Sequence, residues 1–332
     1  MIITKYNKEH KNIWNEFVKN SKNGHFFFHR DYMEYHSDRF QDFSLLFFDD
    51  KERVIALLPA NIKDDTLYSH QGLTFGGFLV DHKMKTAVML DLFAELKKFL
   101  KEKNIKKIIY KCIPYIYHKL PSEEDRYALF INEAKLFRRD VSSIIYIGNQ
   151  IKYSTNRKRI INKAFKNGLV VEKSEDFEQY WKILEEVLKS KHNSKPVHSV
   201  DEIVKLSNLF PENIKLFIAK QDNEILAGTV VFENETIVHT QYLANSDKGR
   251  KLGALDLVTD RLINEIYKDK KYFDFGISNE NNGRYLNIGL INQKDGFGAR
   301  AVVHDFYELK IERERERVNN TFYRATLVGR VA

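Results

Sequence analysis

Thr236-Ile-Val-His-Thr-Gln-Tyr-Leu-Ala-Asn-Ser-Asp-Lys-Gly-Arg-Lys-Leu-Gly-Ala-Leu is the stretch of this 332-residue chain richest in chemically useful side chains. Its first half alternates, so a strand there sets Ile237, His239 and Gln241 on one face and Val238, Thr240 and Tyr242 on the other. An imidazole titrates near neutrality, which makes His239 a candidate to take a proton from an ammonium nucleophile, directly or through water. The plainer alternative is a histidine hydrogen-bonded in or on the sheet. The second half reads as a basic, glycine-bearing loop, Lys248 to Ala254, that opens a helix near Leu255. A phosphate wants this arrangement: Gly249 and Gly253 let backbone N–H groups approach an anion, the helix N-terminus adds partial positive charge, and Lys248, Arg250 and Lys251 supply full charges.

A second strand, Tyr272-Phe-Asp-Phe-Gly-Ile-Ser, puts Tyr272, Asp274 and Gly276 opposite Phe273 and Phe275. A carboxylate inside a sheet is costly unless it is paired or hydrogen-bonded, so Asp274 binds or deprotonates an amine or caps the following loop. Arg157, Lys158 and Arg159 stand at the start of a basic helix whose cap is Ser154, Thr155 or Asn156 and whose stop is Gly168. They are candidates to hold an anionic acceptor, or simply a solvated face. His25 and His29 have a chelating spacing, but Phe26-Phe27-Phe28 between them reads as a buried segment and no metal is expected. G-x-G-x-x-G, Walker A, H-E-x-x-H and G-x-S-x-G are all missing, which removes the common nucleotide, zinc and serine-hydrolase signatures.

Positioning these groups takes an architecture that is written twice. Leu45 to Ala60 runs as apolar segment, polar turn, apolar segment, and Leu216 to Val231 repeats the pattern, with Asp49, Asp50, Asp222 and Asn223 at the turns. Each hairpin precedes an amphipathic helix, one striped by Met89, Leu92, Phe93, Leu96, Phe99 and Leu100, the other by Leu255, Val258, Leu262, Ile263 and Ile266. A Lys-rich turn and another strand follow in both halves. The expected fold class is therefore α/β (α+β), with a duplicated hairpin–helix–strand unit, divided into residues 1–150 and 151–311. The Glu312-Arg-Glu-Arg-Glu-Arg run opens a charged tail, 312–332, with neither period nor apolar content.

With 43% hydrophobic residues the chain can fill two cores, and a single cysteine, Cys112, rules out an internal disulfide or a four-thiolate zinc site. Lys+Arg 54 against Asp+Glu 46 gives a net charge of +8, which favours anionic partners without naming one. The charged start and the lack of a long apolar run argue against secretion and stable membrane insertion, so a cytoplasmic protein is expected.

Arg250-Lys-Leu-Gly253-Ala-Leu255 resembles the pyrophosphate loop R/Q-x-x-G-x-G/A of the GNAT superfamily of acyl-CoA-dependent N-acyltransferases, departing at Leu255. Tyr272-Phe-Asp-Phe-Gly followed by Gly289-Leu-Ile-Asn-Gln-Lys-Asp-Gly-Phe-Gly looks like the D-F-G and G-L-x-x-F-K-x-x-F-G signature of tandem-GNAT proteins related to the Fem peptidyltransferases and the BioF2-like acetyltransferases, with Gln293 in place of a Phe. The resemblance covers essentially residues 10 to 310. It implies two GNAT-like domains, each a mixed, mainly antiparallel sheet flanked by helices, with the acceptor side in the first and the donor side in the second. It also implies acetyl-CoA or another acyl-CoA as co-substrate, Tyr285 as a proton donor to the departing thiolate, and Lys294 as an anion contact. The acceptor so implied is an amine, an amino sugar nucleotide or cell-envelope precursor. Two alternatives stay open. One is Fem-like transfer from aminoacyl-tRNA, against which stands the lack of a long helical hairpin between Trp181 and Ile214. The other is a non-catalytic module that binds CoA or a nucleotide.

Overall fold

A computed structural model describes residues 1–311; the charged run from Glu312 onward lies outside the described residues. The first half runs β1 (Ile2–Lys5), α1 (Lys11–Asn20), α2 (Arg30–Met33), β2 (Gln41–Asp42), β3 (Leu45–Phe48), β4 (Val54–Leu58), β5 (Asn61–Lys63), β6 (Thr66–Tyr68), β7 (Leu79–Val80), α3 (Thr86–Glu102), β8 (Lys107–Lys111), α4 (Glu124–Ile131) and β9 (Lys135–Tyr146). The second half follows with α5 (Thr155–Lys166), β10 (Val170–Ser174), α6 (Phe177–His192), α7 (Val200–Leu209), β11 (Ile214–Gln221), β12 (Glu224–Glu233), β13 (Ile237–Asn245), α8 (Asp247–Leu252), α9 (Ala254–Arg261), β14 (Tyr272–Ile277), β15 (Asn279–Glu280), β16 (Tyr285–Leu286), α10 (Ile288–Asp295) and β17 (Arg300–Lys310). Both hairpins expected from the sequence form: Leu45 pairs with Leu58, and Leu216 with Val230. The second turns on Asp222 and Asn223, both in the left-handed region that Asx residues tolerate.

The halves share one eleven-stranded sheet in the order β10-β11-β12-β13-β14-β9-β17-β8-β6-β5-β2, while β1-β3-β4-β7 forms a separate four-stranded sheet. Two strands cross between the halves. β9, from the first, is hydrogen-bonded to β14 of the second, and β17, from the second, lies between β9 and β8 of the first. Burial follows the same plan. One core belongs to the first half around α3 and a second to the α9 side of the second half, while a third is shared. In the shared core Phe26 and Phe27, from the short 3-10 turn Phe26–Phe28, both pack on Phe232 of β12 at 5.6 Å between ring centroids. That turn is buried, as its sequence suggested, and no metal-holding group of histidine, cysteine and carboxylate occurs among the described residues.

A seam of buried histidines joins the halves. His36 lies 5.5 Å from His70 and stacks on Tyr35 at 4.2 Å, and Tyr35 meets His198 of the second half at 5.6 Å. His198 shares a 2.6 Å hydrogen bond with the Tyr242 hydroxyl. Burial disfavours the charged imidazole in all three, pulling His70 down to about 3 and His198 to about 4, and lowering His36 as well.

Two outcomes follow from this architecture. Below the unfolded histidine value of about 6.5 the unfolded chain binds more protons than the folded one, so stability is full above that pH and falls towards pH 4. The urea midpoint is expected to drop across that window by an amount corresponding to several kcal/mol on the order-of-magnitude scale of one pKa unit per 1.36 kcal/mol, and a flat midpoint would contradict buried neutral histidines. Deleting β17 would leave unpaired edges on both β8 and β9, so a chain ending before Arg300 is expected to give no cooperative unfolding transition. A two-state melt of that fragment would show that the halves are independent.

Candidate active site

The decisive local event is a parting of strands. β13 and β14 run parallel and pair only at Ile237–Tyr272, Val238–Phe273 and His239–Asp274. Beyond that point β13 continues along β12 to Asn245, whereas β14 stays with β9, so a wedge opens with His239 and Asp274 at its apex. β13 also bulges there, for Val230 faces Tyr242 and Val231 faces Thr240, which leaves Gln241 without a cross-strand partner. Gly276, at φ +75°, turns β14 aside, and a methyl on it would come within 3.1 Å of the His239 ring.

Asp274 is fully buried, and its carboxylate is held by four donors. Oδ1 accepts from Ser142 Oγ at 2.6 Å and from the Gly276 N–H at 2.7 Å; Oδ2 accepts from Tyr117 Oη at 2.6 Å and pairs with His239 Nδ1 at 2.8 Å. Burial by itself would raise this carboxyl, but the adjacent His239 and the hydrogen bonds from His239 and Ser142 hold it well below the usual carboxylate range. An acid so stabilised is a poor proton acceptor and a good orienting partner. It fixes His239 with Nδ1 towards the carboxylate and leaves Nε2 for the wedge. Tyr117 is pushed well above its ordinary value, by burial first and by the Asp274 charge second, so it stays a hydroxyl donor.

Three connected cavities run through the wedge. The first, about 410 Å³, has Arg157, Arg159, Lys163, Arg250 and Lys251 on its walls. It shares Asn245, Arg250, Leu255, Asp256 and Gln293 with a neck of about 260 Å³ that is lined by Leu243, Phe275, Leu290 and Phe297. The neck in turn shares Leu243, Phe275, Leu290 and Lys294 with a cleft of about 560 Å³ that holds His239, Gln241, Lys111, Arg138 and His304. Lys294, 5% exposed, sits where neck and cleft meet and donates to the carbonyls of Gly276 and Ile277, each at 2.8 Å. Burial draws its pKa down to about 8 against the opposing pull of Asp274.

The sequence-derived candidates distribute themselves over this channel in part. His239, Asp274, Gln241 and Lys294 come together at the apex and in the cleft. Arg250, Lys251 and Gly253 line the basic cavity, and so do Arg157 and Arg159, which places these two with the loop rather than in the cleft with His239. Arg157 is bonded to Asp256 and lies 5.1 Å from the Phe297 ring. Lys248 points elsewhere and pairs with Glu224. The loop itself is helical, α8 capped by Ser246, then a break at Gly253 (φ +82°), then α9 from Ala254 with no side-chain cap. Its glycines answer to packing. A methyl on Gly249 would meet the Leu226 carbonyl at 2.3 Å and one on Gly253 would meet Ile160 at 2.6 Å, while the Gly249 N–H is taken by Ser246. Tyr285 is 55% exposed on the β15–β16 hairpin and lines none of the three cavities.

Sequence reasoning missed Tyr117, Ser142, Lys111, Arg138, Asp140 and His304, all from β8, β9, β17 or the turn after β8. Only His304 had a usable signal, since Val302, His304 and Phe306 share one face of an alternating strand.

Residues 152–285 match the family model described as an acetyltransferase (GNAT) domain. The whole chain is similar in structure to FemX, with a TM-score of 0.65 at 12% identity over 92% of this chain and 97% of that one. It is also similar to L-PGS from Bacillus licheniformis, with a TM-score of 0.61 at 14% identity over 95% of each chain. A conserved protein of unknown function from Bacteroides thetaiotaomicron gives 0.60 at 12% identity over 94% of this chain and 100% of that one. No curated protein matches the sequence. The fold is thus Fem-like, with a match to a GNAT domain in its second half.

The cage around Asp274 is testable apart from any activity. Asp274→Asn leaves buried donors without a charged partner and is expected to cost about 3–5 kcal/mol of stability, read from urea unfolding at neutral pH. Because the folded carboxyl lies below its unfolded value, the gap between wild type and variant is full above about pH 4 and closes as acid protonates the wild-type group. An equal midpoint in both proteins would mean that the cage contributes nothing.

Proposed function

We propose that this chain, a GNAT-domain protein of Fem-like fold, is an N-acyltransferase that moves an acyl group, an acetyl in the simplest case, from acyl-CoA to an amine. The observation that carries the reading is the wedge between β13 and β14, with a basic cavity at one end, an apolar neck, and a histidine–carboxylate pair at the apex beside a second cleft. Arg250, Lys251, Arg157 and Arg159 suit the phosphates of the carrier. The apolar neck suits its long, thin arm, and the free edge of β13 offers backbone groups for it to bond. In the cleft His239 Nε2 takes a proton from the ammonium of the acceptor, while Asp274 holds the ring and balances the imidazolium that forms. Lys294 stands near the point of transfer, where its charge favours an oxygen gaining negative charge. The acceptor is taken to be a small amine with an anionic part, an amino sugar nucleotide or cell-envelope precursor, and the location to be cytoplasmic. Among the described residues no helix is long and apolar enough to cross a membrane.

One observation favours the aminoacyl-tRNA alternative as a second reading. The basic surface does not stop at the donor cavity but continues along α5, where Lys158, Arg159, Lys163 and Lys166 line a further shallow cavity. Against it, the segment between α6 and β11 holds only α7 and its connections.

Calorimetry with acetyl-CoA and with bulk tRNA separates the two. Saturable acetyl-CoA binding is expected, weakened about 10–100-fold in an Arg250→Ala, Lys251→Ala double variant and unchanged in Lys248→Ala, whose side chain is paired with Glu224. Binding of tRNA with a steep salt dependence and no response to acetyl-CoA would transfer the reading to the aminoacyl donor.

A further inference from the structure

An acceptor that is both amine and anion needs a place for each end. The histidine at the apex serves the amine. Arg157 and Arg159, the cations that the sequence offers for the anion, stand in the basic cavity beyond the neck. The cleft has cations of its own, for its walls carry Lys111, Arg138 and Lys294 against a single carboxylate, Asp140.

Strand register sets two of these cations in one row. Phe306 of β17 pairs with Lys111 of β8 on one side and with Arg138 of β9 on the other. Cross-strand partners share a face, so both charges gather at one ring, the guanidinium carbon 4.5 Å and the ammonium nitrogen 5.9 Å from its centroid. Like charges so placed repel. Burial first, and the charge of Arg138 second, draw Lys111 down, and the nearby Asp140 offsets less than Arg138 adds. That carboxylate is 3% exposed and already holds Arg138 and the Asn279 amide. A wall of this kind suits a guest that brings negative charge with it.

Only one of the three has donors enough to grip such a guest. Lys111 spends its ammonium hydrogens on the carbonyls of His70, Gln71 and Leu73, and Lys294 gives two of its own to Gly276 and Ile277. Of the five N–H groups of Arg138, Nε and one on Nη2 go to Asp140 and one on Nη1 goes to Asn282, which leaves two. Its side chain is 28% exposed and lines the cleft. Arg138 also shares a face of β9 with Ser142, the donor to Asp274, about 13 Å away along the strand at roughly 3.3 Å per residue. The guanidinium is thus on the same face as the groups that hold His239, some way down the strand from them.

We propose that Arg138 binds a carboxylate of the acceptor through its two remaining N–H groups, so that this chain selects amines carrying a carboxylate at the far end of a short chain. The assignment rests on the acyl-transfer reading above and gives its anionic acceptor a chemical group and a residue to hold it. A carboxylate fits better than a phosphate. Two oxygens and one negative charge match one planar fork, whereas a phosphate dianion would set a third oxygen and a second charge beside ammonium hydrogens that Lys111 has already spent.

The test needs no knowledge of the natural acceptor. Three probes of matched length suffice: ε-aminocaproate, its neutral amide ε-aminocaproamide, and aminopentyl phosphate. In protein labelled with 15N-arginine, with the Arg138 resonances assigned by Arg138→Lys, ε-aminocaproate is expected to shift the Arg138 N–H signals saturably and to bind about tenfold more tightly than the amide. Equal affinity for acid and amide, or Arg138 signals indifferent to the acid, overturns the proposal. Tighter binding of the phosphate than of the acid overturns the choice of carboxylate. Arg138→Gln alone would leave Asp140 buried without its cation, so the informative variant is Arg138→Gln with Asp140→Asn, in which both charges go together. There the preference for the acid, followed at the His239 ring, should vanish while affinity for the amide stays within about twofold. A preference that survives in this double variant overturns the proposal as well. Acetyl-CoA calorimetry keeps the two ideas apart, since donor affinity should be equal in wild type and double variant. Failure of the wild type to bind acetyl-CoA would remove the acyl-transfer reading, while the Arg138 spectra decide the carboxylate site by themselves.

Discussion

A single buried carboxylate sets the terms for the middle of this molecule. Asp274 is surrounded by donors drawn from both halves of the chain, Tyr117 and Ser142 from the first and His239 and Gly276 from the second. An ionised group at that depth is tolerated only if every one of those donors is in place. Satisfying it brings β9 beside β14, fixes the ring of His239, and turns β14 away from β13 at Gly276. The wedge, the orientation of the histidine and the union of the halves are three results of one electrostatic requirement.

The same logic explains why the channel is graded. At its outer end Arg250 pairs with Asp247 at the surface, where solvent screens the pair and a polyanion can displace the partner, whereas Arg157 is held by Asp256 in a largely buried pair. Inward the walls become apolar, through Leu243, Leu290 and Phe275, and the ammonium groups that remain are bonded to backbone carbonyls. Lys111 and Lys294 are both drawn down to about 8 by burial, yet Lys111 donates to three backbone carbonyls and Lys294 to two. Fixed dipoles and locked ammonium groups reorganise little when charge moves, which is the property a reacting site requires of its surroundings.

How much of this could be read in the chain alone depends on the distance over which each fact is written. Strand alternation at Ile237–Tyr242 and Tyr272–Gly276 is local, so His239, Gln241 and Asp274 were identifiable together with the argument that Asp274 needs partners. The partners were not, because Tyr117 and Ser142 lie far away in sequence and carry no pattern of their own. Glycines in the basic loop suggested room for an anion, but Gly249 and Gly253 are required by Leu226 and Ile160, contacts that only the packed structure reveals. Arg157 and Arg159 stood out in the sequence as candidates to hold an anionic acceptor or as a solvated face, yet their position beside Arg250 is a matter of how α5 crosses α9. The hairpins and striped helices appeared where periodicity put them. The exchange of β9 and β17 did not follow from any local feature, since strand order is decided by tertiary pairing.

That exchange also bears on how the protein comes into being. β9 and β8 leave the ribosome long before β17, and the strand that belongs between them is translated only after the whole second half has been made. At roughly 5–20 residues per second this interval is about 10–30 seconds, during which the first half holds an unfilled slot in its sheet. Pairings that close over so long a stretch of chain are slow to find. The nascent chain is therefore exposed to wrong strand partners, or to a chaperone that shields the slot, until His304 and its neighbours arrive to complete both the sheet and the cleft.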